Sequence, residues 1–301
     1  MDNTTALISN LQHFSTGDGP GIRSTVFFQG CSLHCQWCHN PEAIPKHPVL
    51  LFYREQCTGC GLCVHSCPAG AHRIGVLGHT IDRSRCTLCG RCAESCPSEA
   101  LRLSGRDYTL GEVLQFICED IDFYTISGGG VTLSGGEPLL QADFCAALAE
   151  ECAERRIQVL IETAGNVGYA AFQTVLPYVN QFYYDLKGAN EEDYRQKTGG
   201  SFHLAIENLT RLVTDGADVT ARIPIIPGYN DSMDYCQALA GILQPTGVKT
   251  VHLLAFHRLG SSKYRALDSG YGYQDTHPPT VEKMDELLSS FSSGFFAKLD
   301  G

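Results

Sequence analysis

The distribution of cysteine is the feature that most constrains what this chain of 301 residues can fold into. Of its 15 cysteines, eleven fall into three tight groups between residues 31 and 96. The other four, Cys118, Cys145, Cys152 and Cys236, are scattered, and we expect them to be ordinary core residues. A disulfide framework is typical of short secreted chains, whereas this chain is long and residues 1–12 show no export signal. Grouped cysteines in a chain of this kind indicate metal binding.

The second and third groups form an internal repeat. Residues 57–68 (CTGCGLCVHSCP) align with residues 86–97 (CTLCGRCAESCP) at an offset of 29. Each run has the spacing C-x2-C-x2-C-x3-C-P of bacterial two-cluster ferredoxins, in which the fourth cysteine of a run binds the other cluster. The pattern predicts two fully ligated [4Fe-4S] clusters that carry electrons, and a pair of zinc knuckles is the alternative. The predicted ligand sets are Cys57, Cys60, Cys63 and Cys96 for one cluster, and Cys86, Cys89, Cys92 and Cys67 for the other.

The first group supplies only three cysteines. Cys31, Cys35 and Cys38 have the spacing C-x3-C-x2-C. Thiolates are the ligands that a [4Fe-4S] cluster takes, so three of them leave one of the four irons open to bind a cofactor or substrate. The alternative is a zinc site that takes His34 or His39 as its fourth ligand.

Composition and charge exclude several classes of partner. The net charge is −11 at pH 7, and no group of lysines and arginines offers the surface that nucleic-acid phosphates need. No segment approaches the ~20 consecutive apolar residues of a membrane span. We therefore expect a cytoplasmic protein with no nucleic-acid or membrane partner.

Strand and helix patterns alternate along most of the chain. The predicted strands are 24–30, 130–134, 157–162, 181–186, 217–223 and 249–255, and the predicted helices are 141–155, 169–179, 191–196, 203–214, 232–243 and 281–290. Such alternation predicts a parallel sheet covered by helices, with about six β/α units. An open or partial barrel fits this number, and a doubly wound sheet is the alternative. We expect three zones: a first part of this domain at 1–48, a two-cluster insert at 49–105, and the remaining β/α units at 106–301.

Polar residues stand where several predicted strands end. The segment 134–138 (SGGEP) places Gly135, Gly136 and Glu137 at such an end, where parallel α/β folds locate their sites. Gly-Gly-x-Pro alone is more often a plain turn. Strand alternation puts Asp185 and Lys187 on one face, where they form either a site or a simple salt bridge. Glu162, Arg222 and His257 end other strands, and Arg222 offers the bidentate fork that suits a carboxylate.

Residues 17–40 resemble the activating enzymes of glycyl-radical enzymes, a branch of the radical S-adenosylmethionine (SAM) superfamily. The signature of that branch is roughly G-x-G-x-R, a strand, and G-C-x3-C-x2-C-x-N. The matching positions are Gly19, Gly21, Arg23, Gly30, the three cysteines of the first group and Asn40. The resemblance covers nearly the whole chain and includes the two-cluster insert. It implies a partial (β/α)6 TIM-like barrel of the radical SAM type with an inserted ferredoxin-like domain.

The resemblance also implies roles for individual residues. Cys31, Cys35, Cys38 and Lys187 would be catalytic, and the open iron of the cluster would hold the amine and carboxylate of SAM. Asp185 would help to hold a monovalent cation, although the pair Glu162–Thr163 departs from the Asp-Thr of some relatives. The implied SAM contacts are Trp37, Cys38, His39, Gly135, Gly136, Glu137, Asp185, Leu186, Lys187, Arg222 and His257.

The implied reaction is the transfer of a hydrogen atom. Reductive cleavage of SAM gives a 5′-deoxyadenosyl radical, which takes a hydrogen from the Cα of one glycine in a partner glycyl-radical enzyme. Flavodoxin or ferredoxin would supply the electron. Two alternatives remain: a radical SAM enzyme that acts on a small molecule or peptide, and a pure electron carrier. The segment Gly17–Arg23 argues against the first, and the long α/β region argues against the second.

Overall fold

The structure is a computed structural model that describes residues 4–76 and 78–300. Residues 1–3, which begin the segment without an export signal, lie outside the described part. The strands are β1 Thr5–Ser15, β2 Arg23–Phe28, β3 Val49–Phe52, β4 His72–Gly75, β5 Gly78–Ile81, β6 Leu101–Ser104, β7 Arg106–Thr109, β8 Gly130–Gly135, β9 Gln158–Thr163, β10 Gln181–Asp185, β11 Val219–Ile225, β12 Thr250–Ala255 and β13 Phe296–Asp300. The α-helices are α1 Leu62–Ser66, α2 Arg91–Glu94, α3 Leu110–Cys118, α4 Ile121–Ser127, α5 Ala142–Glu154, α6 Tyr169–Val175, α7 Glu191–Thr198, α8 Phe202–Thr214, α9 Met233–Leu243, α10 Ser261–Ala266 and α11 Val281–Leu288.

A nine-stranded sheet forms the body of the molecule, in the order β13-β12-β11-β10-β9-β8-β2-β1-β7. Neighbours from β2 through β8 to β13 are parallel, whereas β1 pairs antiparallel with both β2 and β7. The six strands predicted from sequence are all present and parallel. The sequence patterns missed β13 at one edge and β1 and β7 at the other.

The strand order decides between the two topologies that the sequence left open. From β8 to β13 the spatial order follows the chain order without a reversal. A doubly wound sheet requires such a reversal, because its helices lie on both faces. Right-handed crossovers that always advance in one direction place the helices on one face. The doubly wound alternative is therefore wrong, and the sheet is singly wound and open, with edges at β13 and β7.

One apolar core lies between the sheet and its helices. Helix α8 shows how the sequence builds it, because its buried residues Phe202, Ala205, Leu209 and Leu212 recur every three or four positions. The side chain of Ser201 accepts a hydrogen bond from the backbone N–H of Leu204 and begins this helix. Each large apolar side chain buried in this way stabilises the fold by about 1.5–3 kcal/mol.

Residues 49–104 form a segment whose two ends lie next to each other. Strand β3 pairs antiparallel with β6, and Val49 stands opposite Ser104. Between them lie the β4–β5 hairpin and two single-turn helices, α1 and α2. Gly61 and Gly90, both with φ near +78°, precede these helices, so the sequence repeat at an offset of 29 is also a repeat in backbone conformation. This segment buries its own small cluster: Leu50, Phe52, Cys63, Cys92, Ala100 and Leu101.

Candidate active site

A cavity of about 670 Å³ opens at the carboxyl ends of the parallel strands. Its walls come from the loop after β2 and from the ends of the strands between β8 and β13. This volume lies within the ~300–1,000 Å³ range of small-molecule sites. Most of the predicted site residues line it: Cys31, Cys35, Cys38, Trp37, His39, Gly135, Gly136, Asp185, Lys187, Arg222 and His257.

Backbone hydrogen bonds fix the loop that carries the three cysteines. The N–H of Cys31 donates to the carbonyl of Ile44 at 3.0 Å, and the N–H of His34 donates to the carbonyl of Thr198 at 2.7 Å. Thr198 is the last residue of α7, so this hydrogen bond satisfies one of the carbonyls that have no partner within the helix. The three cysteines are thus held by two separate parts of the chain.

The chemistry of this donor set fits a metal cluster with an open position. Burial raises the pKa of Cys31 to about 12 and also raises the pKa values of Cys35 and Cys38. Such thiols stay neutral until a metal compensates the charge of the thiolate. His34, one candidate for a fourth ligand, is exposed and is not among the cavity residues. Three half-buried soft ligands beside a large space suit a [4Fe-4S] cluster that binds a further molecule.

His39 and His257 form a stacked pair on the cavity wall. Their ring centroids lie 3.8 Å apart. Burial, together with the neighbouring His257, lowers the pKa of His39 to about 4. Among the described residues, Nε2 of His39 has no hydrogen-bond partner although it is buried. A neutral imidazole with an unpaired buried nitrogen suits contact with a bound polar molecule.

Gly135, the last residue of β8, and Gly136, which follows it, have no room for a side chain because neighbouring backbone atoms lie too close. A Cβ on Gly136 would lie 2.1 Å from the carbonyl oxygen of Gly30, and a Cβ on Gly135 would lie 2.4 Å from the nitrogen of Phe28. The N–H of Gly136 donates to the carbonyl of Phe28 at 2.9 Å. Glycine at such a position can allow a ligand to approach the backbone closely. Both line the cavity, but the approach of β2 already excludes a side chain at either position.

Two of the predicted SAM contacts lie behind the cavity wall. The carboxylate of Glu137 accepts hydrogen bonds from Oγ1 of Thr163 at 2.8 Å and from the N–H of Ala164 at 3.0 Å. Burial raises the pKa of Glu137 to about 7 despite these bonds. This side chain therefore ties the loop after β8 to the end of β9. Leu186 is fully buried, and its N–H donates to the carbonyl of Arg222.

Four charged side chains form a network across the strand ends. Nη1 of Arg222 lies 2.5 Å from Oε1 of Glu162, and Nε of Arg222 lies 3.1 Å from Oδ1 of Asp185. Nζ of Lys187 lies 2.8 Å from Oδ2 of Asp185. Asp185 and Lys187 therefore form a salt bridge and also line the cavity. A salt bridge between them does not prevent either side chain from facing the cavity.

Opposite charges favour the ionised forms of Asp185 and Lys187, whereas burial raises the pKa of Glu162 despite its pairing with Arg222. Burial acts to raise the pKa of Asp185, but Lys187 and Arg222 outweigh it, so the pKa lies below its ordinary value. Burial acts to lower the pKa of Lys187, but Asp185 reverses the direction. Two cations and two carboxylates thus face the cavity with balanced charge, which suits a zwitterionic ligand better than a simple ion.

Sequence patterns missed several residues around the cavity. Asp300 on β13 lines it and accepts a hydrogen bond from Nδ1 of His252. Nζ of Lys263, on α10, donates to Oδ1 of Asn40 at 2.7 Å and to Oε1 of Glu42 at 2.6 Å. Lys263 thereby fastens α10 to the segment just after the third cysteine. Asn40 was the only sequence signal for this contact.

The remaining eight cysteines surround two small hollows between residues 50 and 103. Each hollow measures about 10 Å³. One is lined by Cys57, Cys60, Cys63 and Cys96, and the other by Cys67, Cys86, Cys89 and Cys92. The structure therefore brings together the two sets that the spacing predicts, with the fourth cysteine exchanged between the runs.

Solved structures share the architecture at low sequence identity. A radical SAM methyltransferase from Sphaerobacter thermophilus matches with a TM-score of 0.51 at 16% identity, covering 71% of this chain and 61% of that one. SuiB of Streptococcus suis, bound to its precursor peptide SuiA, matches with a TM-score of 0.53 at 10% identity, covering 90% of this chain and 46% of that one. A family model described as a 4Fe-4S single cluster domain matches residues 17–198. The fold is therefore one shared with radical SAM enzymes, and the matching family model is that of a [4Fe-4S] cluster domain.

Curated relatives identify the branch. The activating enzyme of trans-4-hydroxy-L-proline dehydratase from Clostridioides difficile is 38% identical over 98% of this chain and 99% of its own length. The activating enzyme of choline trimethylamine-lyase from Oleidesulfovibrio alaskensis is 38% identical over 95% and 94%. The activating enzyme of benzylsuccinate synthase from Thauera aromatica is 39% identical over 95% and 90%.

This chain belongs to the family of glycyl-radical enzyme activating enzymes. It is an enzyme that uses SAM to generate the glycyl radical of a partner glycyl-radical enzyme. No helix among the described residues is long and apolar enough to cross a membrane.

Proposed function

We propose that the chain activates its partner with three [4Fe-4S] clusters, of which the one held by Cys31, Cys35 and Cys38 binds SAM. One observation carries this assignment. The cavity that holds these three cysteines also holds the charged network of the strand ends, whereas four cysteines surround each of the other hollows.

The residues around the cavity would divide the work of binding and positioning. The charged network of Glu162, Asp185, Lys187 and Arg222 would orient the zwitterionic end of SAM, and Gly135 and Gly136 would supply backbone to it. Trp37 and the pair His39–His257 would form the walls. Glu137 and Leu186 would act from behind these walls, because neither lines the cavity. When bound, the cluster supplies the electron that cleaves SAM, and SAM supplies the radical that takes the hydrogen of a glycine.

The substrate would be a glycine-bearing loop of the partner enzyme. The sheet is open, with edges at β13 and β7, and the charged groups at the strand ends face one cavity. A loop entering there would meet the reacting groups at contact distance and would exclude water.

Residues 49–105 would fold as a ferredoxin-like insert with the two further clusters. The pairing of Val49 with Ser104 supports these limits, because the chain enters and leaves the segment at one place. Residues 1–48 and 106–301 would then form a single barrel-like domain. The two fully ligated clusters would pass electrons from a flavodoxin or ferredoxin to the SAM-binding cluster.

A monovalent cation beside Asp185 would compete with side chains that already hold that carboxylate. Oδ1 and Oδ2 of Asp185 accept from Arg222 and Lys187, respectively. Binding of a cation would have to displace one of these groups. Activity compared in potassium, sodium and a bulky organic cation, at constant ionic strength, tests this proposal.

Anaerobic reconstitution with iron and sulfide tests the assignment as a whole. Three clusters require about twelve irons per chain. Addition of SAM to the reduced protein should change the electron paramagnetic resonance (EPR) signal of one cluster and should yield 5′-deoxyadenosine. A count near eight with no response to SAM, or zinc bound by Cys31, Cys35 and Cys38, would contradict the proposal.

A further inference from the structure

Two histidines lie between the hollows that the eight cysteines surround. His72 on β4 and His79 on β5 have side chains that are 3% and 7% exposed. Their hairpin is otherwise exposed, and Val76 at its tip is fully in solvent. His79 lines the hollow of Cys57, Cys60, Cys63 and Cys96, and His72 lines the other hollow.

The two rings contact each other and the cysteines. Nδ1 of His72 lies 2.9 Å from Nε2 of His79. The same Nε2 of His79 also lies 3.6 Å from Sγ of Cys63, whereas Nδ1, on the other side of the ring, lies 3.7 Å from Sγ of Cys57. The ring of Phe52 packs on His79 with a centroid distance of 4.4 Å and fixes its plane.

Geometry and charge select one arrangement of protons. Nδ1 of His72 and Nε2 of His79 face each other at 2.9 Å, so one of these two nitrogens carries a proton and the other accepts it. Once Cys57 is a metal-bound thiolate, a bare Nδ1 of His79 would face it with a lone pair. The favourable tautomer has the Nδ1–H of His79 directed at Cys57, which leaves Nε2 to accept from the Nδ1–H of His72.

The surroundings of the two hollows differ because the repeat is not symmetrical here. At the offset of 29, His72 corresponds to Leu101, so the second run has no matching histidine. In the second hollow, Sγ of Cys67 accepts from the N–H of Ala71 at 3.3 Å. In the first hollow, Cys96 contacts Oγ of Ser98 at 3.7 Å. The imidazole of His79 is thus an additional donor on the first hollow.

We propose that His79 donates an N–H hydrogen bond to the thiolate of Cys57 and so raises the reduction potential of the cluster held by Cys57, Cys60, Cys63 and Cys96 above that of its neighbour. His72 is the positioning residue that fixes the tautomer of His79. One-electron reduction adds a negative charge that spreads over the sulfurs, and an N–H aimed at a sulfur stabilises the reduced form. The inference rests on the proposed two-cluster insert.

An EPR-monitored redox titration of the reconstituted full-length protein tests this inference. For His79→Leu we expect the EPR signal of one auxiliary cluster to titrate at a lower potential. At a fixed potential the ratio of reduced to oxidised cluster should fall by a factor of about ten, which corresponds to a shift of about 59 mV for one electron. The signal of the other auxiliary cluster should stay in place. His79→Gln keeps an N–H donor and should restore part of the shift. His72→Leu should produce a smaller shift of the same sign.

His65→Leu is the matched control. His65 lies on α1 between Cys63 and Cys67 but is exposed, so its removal should move neither signal. Unchanged potentials in His79→Leu with full iron would overturn the inference and leave the three-cluster assignment intact. Loss of about four irons in both His79 variants would also overturn it, because His79 would then be needed to hold the cluster. A wild-type protein with only about four irons would instead contradict the proposed function.

Discussion

The two cysteine-bearing regions of this molecule place their sulfurs in contrasting surroundings. The three cysteines after β2 line a cavity of about 670 Å³ that also holds Asp185, Lys187 and Arg222. The eight cysteines of residues 57–96 surround hollows of about 10 Å³ each, which are also lined by apolar residues such as Leu50 and Ala100 and by His72 and His79. One region has room and charge for a further molecule, and the other does not.

The difference shows how the number of protein ligands and the surroundings of a cluster determine its function. Four thiolates close a [4Fe-4S] cluster and leave electron transfer as its task, whereas three thiolates are useful only beside a space that another ligand can fill. The position of the charged network at the strand ends supplies that space with binding groups. The scaffold around a cluster therefore indicates its role as clearly as the cysteine spacing does.

The first prediction tests the region with three ligands and has the largest expected effect. Cys35→Ala should abolish formation of 5′-deoxyadenosine, because the SAM-binding cluster loses one of only three protein ligands. Chromatographic measurement of 5′-deoxyadenosine after reduction with SAM checks it. Cys118→Ala, a half-buried cysteine that is not among the cavity residues, is the matched control. Product from Cys35→Ala at the control rate would show that these cysteines do not hold the catalytic cluster.

The second prediction concerns the dependence of each region on iron. The segment 49–104 has only a small buried cluster of its own, whereas the main sheet rests on a large core. We therefore expect binding of the two proposed clusters to contribute most of the folding free energy of this segment. After chelation of iron, we expect amide hydrogen exchange to become fast throughout the insert and to stay slow in β8–β12. Equal protection of the insert with and without iron would contradict this expectation.

The third prediction breaks the charged network that distinguishes the cavity. Arg222→Met leaves Glu162 and Asp185 buried without one of their cations, which should destabilise the protein by about 3–5 kcal/mol. Urea denaturation followed by circular dichroism measures the change. Addition of Glu162→Gln should recover part of the loss. Arg211→Met removes an exposed pair with Glu207 and should change stability by less than about 0.5 kcal/mol. Equal midpoints for both arginine variants would contradict this account.

The sequence predicted the parts of this molecule that depend on local spacing. The cysteine runs, the six parallel strands and the polar residues at the strand ends follow from patterns within short segments, whereas Trp37 and His39 follow from the family resemblance. Strand β1 was missed because bulges near Ile8–Asn10 and Gln12–Ser15 interrupt its alternation. Strand β13 was missed because an edge strand such as Phe296–Asp300 carries little buried apolar surface.

Contacts between distant segments account for the rest. The hydrogen bond from Lys263 to Asn40 and the salt bridge from Lys263 to Glu42 each join residues more than 220 positions apart. No pattern within a short segment predicts a contact over such a separation. Glu137 was placed in the cavity because its segment ends a strand. Its side chain is oriented by hydrogen bonds from Thr163, the last residue of β9, and from Ala164, which follows it. Only the folded structure brings these residues close to Glu137.

The last and smallest expected effect concerns the joint between the two regions. Asp268 follows α10 and accepts from Arg54 at 2.7 Å and from Arg83 at 2.9 Å, both of which belong to the insert. Asp268→Asn removes the charge and keeps a residue that tolerates the φ of 55° found there. Because the three side chains are at least one-third exposed, we expect a loss of only about 1 kcal/mol or less. Hydrogen exchange near β3 and at 82–85 should rise modestly, and more so at low salt, since salt screens the wild-type pairs. Asp275→Asn, an exposed residue of the same loop, is the control. A rise of equal size in both variants would show that Asp268 does not join the insert to the main domain.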